Sequence, residues 1–388
     1  MDFTIPAELT ELRASFAAFL DREVRGVEEE LAREFWAYAP DRAVIGEAAA
    51  AVVRRSAEEG FFAAHMPESV GGQGLSTLGM TLLVEDAARS GMRMAMLAVS
   101  PPNPSGPSQL LMALPEELHD DYVRPVVEGT KTMCFALTEP EAGSDAQAIR
   151  TRAVRDGAGW RINGHKHYIT NGDKADFAIV FAVTDAERRA AGGITAFLVP
   201  GDQIRRGAVQ WNISDTHPSE LFFDDAWVPD DHVVGEVGTG FFLAMSFLNA
   251  GRAFIGAQAL GLAEFCLDSA VAHATSRTAF GRPISKFQSV SFPLADAKCD
   301  IEAMRWLIYH LAWAVDQGES PMLDASIVKY VATERAYTVA DRALQTFGGM
   351  GLLKEGPIER VLRHLRMLRV VEGSSSIQQL VIARSLGL

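Results

Sequence analysis

The chain has 388 residues, of which 48% are apolar and 22% are charged, values that are typical of a globular protein and exclude a disordered one. Its 36 Lys and Arg and 50 Asp and Glu give a net charge of −14, which argues against non-specific binding to nucleic acid or to an anionic membrane surface. Three scattered cysteines are too few for a disulfide framework, so we expect a reducing, cytoplasmic compartment.

Helical patterns dominate residues 1–125, the first predicted domain. Pro6 suits a first helical turn, and the apolar residues that follow recur at helical spacing. Further helices are predicted from Ala51 to Gly60 and from Thr77 to Arg89, while the proline-rich stretch from Pro101 to Pro107 is predicted to be a loop. The N-terminus lacks the pattern of a signal peptide. No apolar run approaches the roughly 18 residues of a membrane span, the best being Phe241 to Leu248.

Strand patterns dominate residues 126–235, the second predicted domain. Asn163-Gly164 between two alternating runs predicts the turn of a β-hairpin. Further strands are predicted from Phe177 to Val183, from Ile194 to Val199 and from Glu220 to Val228. Several short strands at this spacing are typical of a small β-barrel or sandwich.

Long helical patterns return in residues 236–388, the third predicted domain. Apolar stripes run from Phe241 to Ala274, from Phe287 to Gln317 and from Met322 to Phe347, which suits a four-helix bundle. The predicted fold class is therefore α+β and multidomain, with helical, β and helical parts in chain order.

The common signatures of catalysis fail in this chain. It has no dinucleotide-binding G-x-G-x-x-G, no P-loop, no H-E-x-x-H and no G-x-S-x-G. His165 and His167 would share one face of a strand, as metal ligands can, but no third ligand lies near them in the sequence. We therefore expect a solvated hairpin and no metal site.

Four segments combine small, hydroxylated or glycine residues with bulky ones: residues 134–145, residues 168–172, residues 277–283 and residues 345–351. Turns of this composition let backbone amides approach a ligand closely, and the third segment carries two guanidinium groups suited to phosphate. Together with NGHKHYITNG at 163–172 and EGSSSI at 372–377, these segments resemble the acyl-CoA dehydrogenase family in order and spacing, from the first helix to the last residues.

The resemblance implies FAD as cofactor, an acyl-CoA thioester as substrate, electron-transfer flavoprotein as electron acceptor, and a homotetramer. The residues that would border the flavin are Phe135, Leu137, Thr138, Gly143, Ser144, Tyr168, Ile169 and Thr170, with the Thr170 hydroxyl near flavin N5. The residues that would reach the FAD of a neighbouring subunit are Arg277, Phe280, Gln288, Gln345, Gly348 and Gly349. Ser374 and Ser376 would meet the flavin diphosphate, and Ser144, Asn249, Arg252 and Gly373 would bind the substrate.

Glu372 is the predicted catalytic base. Val370 and Val371 precede it, and a carboxylate among valines is partly desolvated, which raises its pKa towards the range useful for a general base. Gly373 and three serines follow, before a terminal helix is predicted from Ile377 to Leu386.

The resemblance implies that the Glu at this position removes the α-proton of the substrate. At the same time the β-carbon would pass hydride to flavin N5, which gives the trans-2-enoyl-CoA. The backbone N–H of this Glu and a ribityl hydroxyl of FAD would polarise the thioester carbonyl. Some relatives carry the base just before an arginine at the start of the C-terminal domain. Here that position, beside Arg252, is Gly251, and glycine has no side chain that could act as a base.

Several residues depart from the family pattern and leave the acyl group open. Val371 replaces a common tyrosine, Ser374 a common threonine and Asn249 a common aspartate that helps to hold the CoA arm. Two other functions stay open on the same motifs: an oxidase or specialised acyl-CoA lyase that uses the same flavin, and a non-catalytic helical binding subunit. Arg360, Arg363, Arg366 and Arg369 form a helical stripe, which we expect to pair with acids such as Glu355 and Glu359.

Overall fold

The computed structural model describes residues 4–37, 40–103, 106–214 and 216–388. Within the predicted loop from Pro101 to Pro107, Pro104 and Ser105 lie outside the described residues, and the remainder is not helical, as predicted. The chain divides into two compact units. The helical unit comprises Met1–Phe61, Leu75–Val99 and Arg252–Leu388, and the β unit comprises Phe62–Gly74 and Ser100–Gly251. The three-domain boundaries predicted above stay a prediction.

Twelve α-helices lie in the described part of the chain. They are α1 Ala7–Phe19, α2 Arg25–Glu30, α3 Ala32–Trp36, α4 Arg42–Glu58, α5 Thr77–Arg89, α6 Ala95–Val99, α7 Arg124–Val127, α8 Gly240–Ser276, α9 Gln288–Asp316, α10 Met322–Phe347, α11 Pro357–Leu368 and α12 Ser375–Ser385. Helices α5 and α10 have the predicted bounds, and α8, α9 and α12 differ from prediction by one or two residues at most at each end.

Capping explains where two of these helices begin. Asp41 accepts hydrogen bonds from Ala43 N and Val44 N, so α4 begins at Arg42 rather than at the predicted Ala51. Ser76 accepts from Gly79 N at the start of α5. These side chains satisfy backbone donors that have no partner within the first turn of a helix.

Helix α8 is apolar enough to resemble a membrane span. An 18-residue window within its 37 residues has a mean hydropathy of 1.3, so the prediction that no run approaches a span was wrong by this measure. However, 72% of that window is buried inside the protein, which is typical of a core helix. Ala257, Leu260 and Cys266 of α8 belong to the apolar core of the helical unit.

The β unit contains an eight-stranded sheet. Its strands are β1 Met133–Ala136, β2 Arg152–Asp156, β3 Gly159–Ile169, β4 Phe177–Val183, β5 Ile194–Pro200, β6 Arg205–Val209, β7 Ser219–Pro229 and β8 Val233–Val234. Their order is β6-β7-β3-β2-β4-β5-β8, with β1 paired parallel to β4. A separate antiparallel pair, β9 Thr278–Ala279 and β10 Arg282–Pro283, lies in the helical unit. The predicted α+β multidomain class is confirmed.

The predicted hairpin turn at Asn163-Gly164 was wrong. Strand β3 runs through both residues, with an irregular register against β7 between Ile162 and Gly164. The side chain of Asn163 is occupied by Asp225 of β7, since it accepts from Asp225 N at 3.0 Å and donates to Asp225 Oδ1 at 2.8 Å. The turn lies instead at Gly157, which has a φ of 60° and joins β2 to β3.

Candidate functional site

Glu372 lies in a short turn of the helical unit between α11 and α12. The turn is closed by a hydrogen bond of 2.9 Å from Ser375 N to Arg369 O. Glu372 has a φ of 53° and Gly373 a φ of 89°, so the backbone reverses through two successive left-handed residues. A non-glycine residue in this region is rare and costs about 1–3 kcal/mol, which the surrounding contacts must offset.

Two buried side chains hold this turn through one carbonyl. Lys329 of α10 donates from Nζ to Gly373 O at 2.8 Å, and Gln378 of α12 donates from Nε2 to the same oxygen at 2.9 Å. Neither side chain is exposed to solvent. The turn is therefore held from two helices immediately after the residue that carries the carboxylate.

The surroundings of Glu372 set its protonation. Desolvation raises the pKa of Glu372 to about 7, against the opposing effect of the positive charges of Lys329 and Arg252. Desolvation also lowers the pKa of Lys329 to about 8, and the negative charge of Glu372 opposes that change. A carboxyl group with a pKa near neutrality can both accept a proton and release it, as a general base must. The predicted direction of the Glu372 pKa is confirmed.

Glu334 of α10 links the two ends of the same turn. Its Oε2 lies 2.6 Å from Arg369 Nη2, and its Oε1 accepts from Ser375 Oγ at 2.5 Å. Of the arginine stripe, Arg363 pairs with Glu359 as predicted, whereas Arg360 donates to the backbone oxygen of Gly91. Ser374 occupies the N-cap position of α12, but its hydroxyl makes no capping hydrogen bond among the described residues.

In the β unit, a buried ion pair joins the end of β1 to β3. Lys166 Nζ donates to Glu139 Oε1 at 2.8 Å and to Leu137 O at 2.9 Å, and His167 N donates to Thr138 O at 2.9 Å. Desolvation lowers the pKa of Lys166 to about 8 despite the opposing charge of Glu139. Desolvation acts to raise the pKa of Glu139, but Lys166 and the amide donors outweigh it and lower that pKa.

These contacts join the segment after β1, which holds Leu137 and Thr138, to the end of β3, which holds Tyr168 and Ile169. Of the predicted flavin residues of the β unit, Thr138 is half-buried, and the exposed ones are Gly143, Ser144, Tyr168 and Thr170. Phe135, Leu137 and Ile169 are buried, so they offer little surface to a ligand. The ring of Phe135 packs against those of Phe181 and Phe247.

The predicted residues of the helical unit form a second exposed group. Arg277 follows α8, Phe280 lies between β9 and β10, and Gln288 begins α9. Gln345, Gly348 and Gly349 lie at the end of α10, and all six residues are exposed. The ring of His273 in α8 stacks on that of Phe347 in α10 at 4.4 Å, which places the ends of these two helices side by side.

Five of the predicted residues carry features that are typical of a ligand site. Tyr168 and Phe280 expose 63% and 95% of their surface, although both are large aromatic residues. Tyr168 has a φ of 57° and Phe280 a φ of 51°, so with Glu372 they are three of eight described non-glycine residues in the left-handed region. Gly348 and Gly349 have open space where a side chain would begin. Each of these features, taken by itself, fits contact with a planar cofactor or with its phosphates.

The predicted substrate residues lie in both units. Ser144 and Asn249 belong to the β unit, where Ser144 is exposed and Asn249 half-buried. Arg252 and Gly373 belong to the helical unit, where Arg252 Nη1 donates to Ser326 Oγ at 3.1 Å. Arg252 Nη2 lies 3.7 Å from the point where a side chain on Gly373 would begin, so the guanidinium borders the turn of the predicted base.

Sequence reasoning missed Lys329 and Lys166. Both are fully buried, which is rare for lysine unless the charge is compensated. The signal for Lys329 was present, because it is a single lysine on a buried helix face with Ala325, Val328 and Ala332. Lys166 points inward from a strand whose flanking His165 and His167 are only half-buried, an alternation that the mistaken hairpin obscured.

Three family models match the chain in order. They describe the acyl-CoA dehydrogenase N-terminal domain over residues 6–130, the middle domain over residues 134–226 and the C-terminal domain over residues 238–387. The chain is also 35% identical to a probable acyl-CoA dehydrogenase, fadE25, of Mycobacterium leprae, over 99% of this chain and 96% of that protein. The chain belongs to the acyl-CoA dehydrogenase family.

Two further relatives have more specific names. The mitochondrial short-chain specific acyl-CoA dehydrogenase of Bos taurus is 38% identical over 86% of this chain and 82% of that protein. The caffeyl-CoA reductase-Etf complex subunit CarC of Acetobacterium woodii is 34% identical over 87% of this chain and 90% of that protein.

Solved structures of this acyl-CoA dehydrogenase fold cover the whole chain. Butyryl-CoA dehydrogenase from Megasphaera elsdenii matches with a TM-score of 0.85 and 33% identity over 100% of both chains. A chain in the structure of the electron transferring flavoprotein of Acidaminococcus fermentans matches with a TM-score of 0.87 and 34% identity, over 100% of this chain and 99% of that chain. The predicted family and enzyme class are confirmed, as is FAD as the family's cofactor.

Proposed function

We propose that this acyl-CoA dehydrogenase converts an acyl-CoA thioester to its trans-2-enoyl-CoA, and that Glu372 removes the α-proton. The observation that carries this proposal is the turn of Glu372, where desolvation raises the pKa of the carboxyl group to about 7. At neutral pH a large fraction of the group is ionised and ready to accept a proton. Gly251 offers no side chain that could act instead.

Several residues of this chain would hold FAD, either the one bound to the same subunit or the one bound to a neighbour. Thr138, Tyr168 and Thr170 in the β unit would border the ring, while Arg277 and the backbone of Gly348 and Gly349 in the helical unit would meet the phosphates of the FAD bound by a neighbouring subunit. When bound, FAD supplies the acceptor for the hydride that leaves the β-carbon. Arg277 would supply the positive charge for this contact, because a chain of net charge −14 requires a local cation to retain a diphosphate.

The turn of Glu372 would also orient the substrate. We assign the backbone N–H of Glu372 to the thioester carbonyl, where it would stabilise the negative charge that develops as the α-proton leaves. Lys329 and Gln378 both donate to Gly373 O and so fix the peptide that follows Gly373. The backbone N–H and the carboxylate of Glu372 are thereby held in a defined relation. The proton then rests on the Glu372 carboxyl group until solvent removes it.

Partners and assembly follow from the same family. We propose that electron-transfer flavoprotein accepts the electrons, which is supported by the names of the A. woodii relative and of the A. fermentans structure. We also propose a homotetramer, since Phe280 and its exposed neighbours suit a site that a second subunit covers. Cys134, Cys266 and Cys299 are free thiols, which suits the cytoplasm as the proposed compartment.

Anaerobic mixing with acyl-CoA thioesters tests this function. The FAD-loaded protein is mixed with straight, branched and cyclic acyl-CoAs, and the flavin absorbance is followed. We expect bleaching with at least one of them and the matching enoyl-CoA as product. Failure of every acyl-CoA to bleach a fully FAD-loaded protein would contradict the proposal.

A further inference from the structure

Three potential metal ligands meet on two neighbouring strands of the sheet in the β unit. His165 and His167 lie on β3, and Glu220 lies on the neighbouring strand β7. Glu220 Oε1 is 3.1 Å from His165 Nε2 and 3.3 Å from His167 Nδ1, and one ligand atom from each residue lies within 4.8 Å of the others. The sequence concealed this third ligand because 55 residues separate Glu220 from His165.

The two distances that involve Glu220 match those of a tetrahedral zinc site. Bonds of roughly 2.0–2.1 Å at tetrahedral angles place neighbouring ligand atoms roughly 3.3 Å apart. Glu220 Oε1 lies 3.1 and 3.3 Å from the two histidine nitrogens, and the ligand atoms of the two histidines lie within 4.8 Å of each other, so an ion could enter after a modest movement of the side chains. The side chains of His165, Glu220 and His167 keep 34%, 23% and 19% of their surface exposed, which leaves a path for an ion from solution.

Packing against Phe222 orients the imidazole ring of His165. The ring of His165 stacks on that of Phe222 with centroids 4.2 Å apart. The guanidinium carbon of Arg205 lies 4.2 Å from the centroid of the same Phe222 ring. Such packing limits the rotation of His165 and so reduces the entropy lost when a metal binds.

Gln210 supplies a contact of the kind that accompanies metal-binding histidines. Gln210 Nε2 lies 3.0 Å from His167 Nε2 and 3.2 Å from His167 Nδ1, while Gln210 Oε1 is buried without a hydrogen-bond partner among the described residues. Amide nitrogen and oxygen can be exchanged by a half-turn of the side chain. After that exchange, His167 Nε2–H would donate to Gln210 Oε1, and His167 Nδ1, which lies 3.3 Å from Glu220 Oε1, would be the ligating nitrogen. A histidine that donates from one ring nitrogen and ligates through the other is the usual arrangement at metal sites.

We propose that His165, His167 and Glu220 bind one divalent transition-metal ion of the zinc class, with a fourth position open to water or another small ligand. Two imidazole nitrogens and one carboxylate oxygen favour Zn²⁺, Co²⁺, Ni²⁺ or Cu²⁺ over Mg²⁺ and Ca²⁺, which prefer oxygen ligands. The site is separate from the proton transfer assigned to Glu372, and it does not depend on that assignment.

Metal titration of the FAD-loaded, untagged protein tests this site. After treatment with a chelator, Zn²⁺ is added in competition with a chromophoric chelator. We expect one ion per chain, and at least about tenfold weaker binding in His165→Ala, His167→Ala and Glu220→Gln. Gln210→Ala should weaken binding by about tenfold, since it removes only the group that orients His167. His310→Ala, at an exposed histidine of α9, is the matched control and should bind as the unaltered protein does.

Cobalt gives a second measurement that does not depend on the folding of any variant. Co²⁺ bound by the unaltered protein should show the intense visible absorption of tetrahedral coordination, and Zn²⁺ should displace it. Less than half an equivalent of bound ion, or equal affinity in the unaltered protein and all three ligand variants, would overturn the proposal. Since neither readout uses dehydrogenation, its failure would leave the proposed function untouched.

Discussion

The side-chain nitrogen of Lys329 donates a hydrogen bond of 2.8 Å to the carbonyl oxygen of Gly373, the residue that follows Glu372. This contact gives Lys329 two effects on the predicted base. It holds the turn in its left-handed conformation, and its charge opposes the desolvation that raises the pKa of Glu372. Lys329 is therefore a positioning residue.

Glu372→Gln should abolish flavin reduction by acyl-CoA while FAD and acyl-CoA still bind, because the amide keeps the shape of the side chain but cannot accept the proton. Loss of a general base costs roughly 100- to 10,000-fold in rate. Stopped-flow absorbance of the anaerobic mixture measures it, with Glu355→Gln at an exposed position as control. Bleaching of the Glu372→Gln variant at the rate of the unaltered enzyme would remove Glu372 from the mechanism.

The rate of flavin reduction should fall as the pH drops through about 7, because Glu372 must be deprotonated to act and its pKa is raised to about 7. Lys329→Met removes a charge that lowers this pKa, so the pH at half-maximal rate should move upward, by roughly 1 pH unit. Lys329→Arg keeps the charge and should keep the pH at half-maximal rate near that of the unaltered enzyme. An identical profile for Lys329→Met and the unaltered enzyme would refute the electrostatic role.

Glu334→Gln should slow flavin reduction by about tenfold with no change in FAD affinity, because it weakens the link between Arg369 and Ser375 at the two ends of the turn. Asp341→Asn, at an exposed position on the same helix, is the control. The rate is measured at saturating acyl-CoA, together with the FAD dissociation constant. A change in FAD affinity alone would show that Glu334 supports the cofactor rather than the base.

Arg277→Ala should weaken FAD binding by roughly tenfold to a hundredfold, since a charged hydrogen bond contributes about 1.5–3 kcal/mol. Chemistry in the FAD-saturated enzyme should change less than binding does. Arg277→Lys keeps a positive charge without the planar guanidinium, so its FAD affinity should lie between that of Arg277→Ala and that of the unaltered enzyme. The dissociation constant is measured by flavin fluorescence, and an unchanged value for Arg277→Ala would be incompatible with the predicted role.

Lys166→Met should destabilise the β unit by about 3–5 kcal/mol, because it leaves the buried carboxylate of Glu139 without its countercharge. Changing both residues, Lys166→Met with Glu139→Gln, should cost less than Lys166→Met alone, since no unpaired charge remains. Denaturant unfolding followed by tryptophan fluorescence measures both variants. Equal stability of Lys166→Met and the unaltered protein would show that the pair does not support the sheet.

Local patterns predicted the regular elements well. Helix α10 and strand β4 have the predicted bounds, because helical and strand periodicities are properties of neighbouring residues. The Asn163-Gly164 turn failed for the opposite reason. A distant residue, Asp225, binds the Asn163 side chain and keeps β3 extended where the local pattern favours a reversal.

The order and spacing of motifs in the chain were enough to predict the family and its cofactor, since both depend on residue types at particular positions. The assignment of Glu372 as the base stays a prediction. The electrostatics of the base and the histidine cluster could not be obtained in this way. Lys329 meets the turn of Glu372, and Glu220 meets His165 and His167, only because separate helices or strands pack side by side. Desolvation and the distance between charged or ligating atoms depend on that packing, so folding decides them.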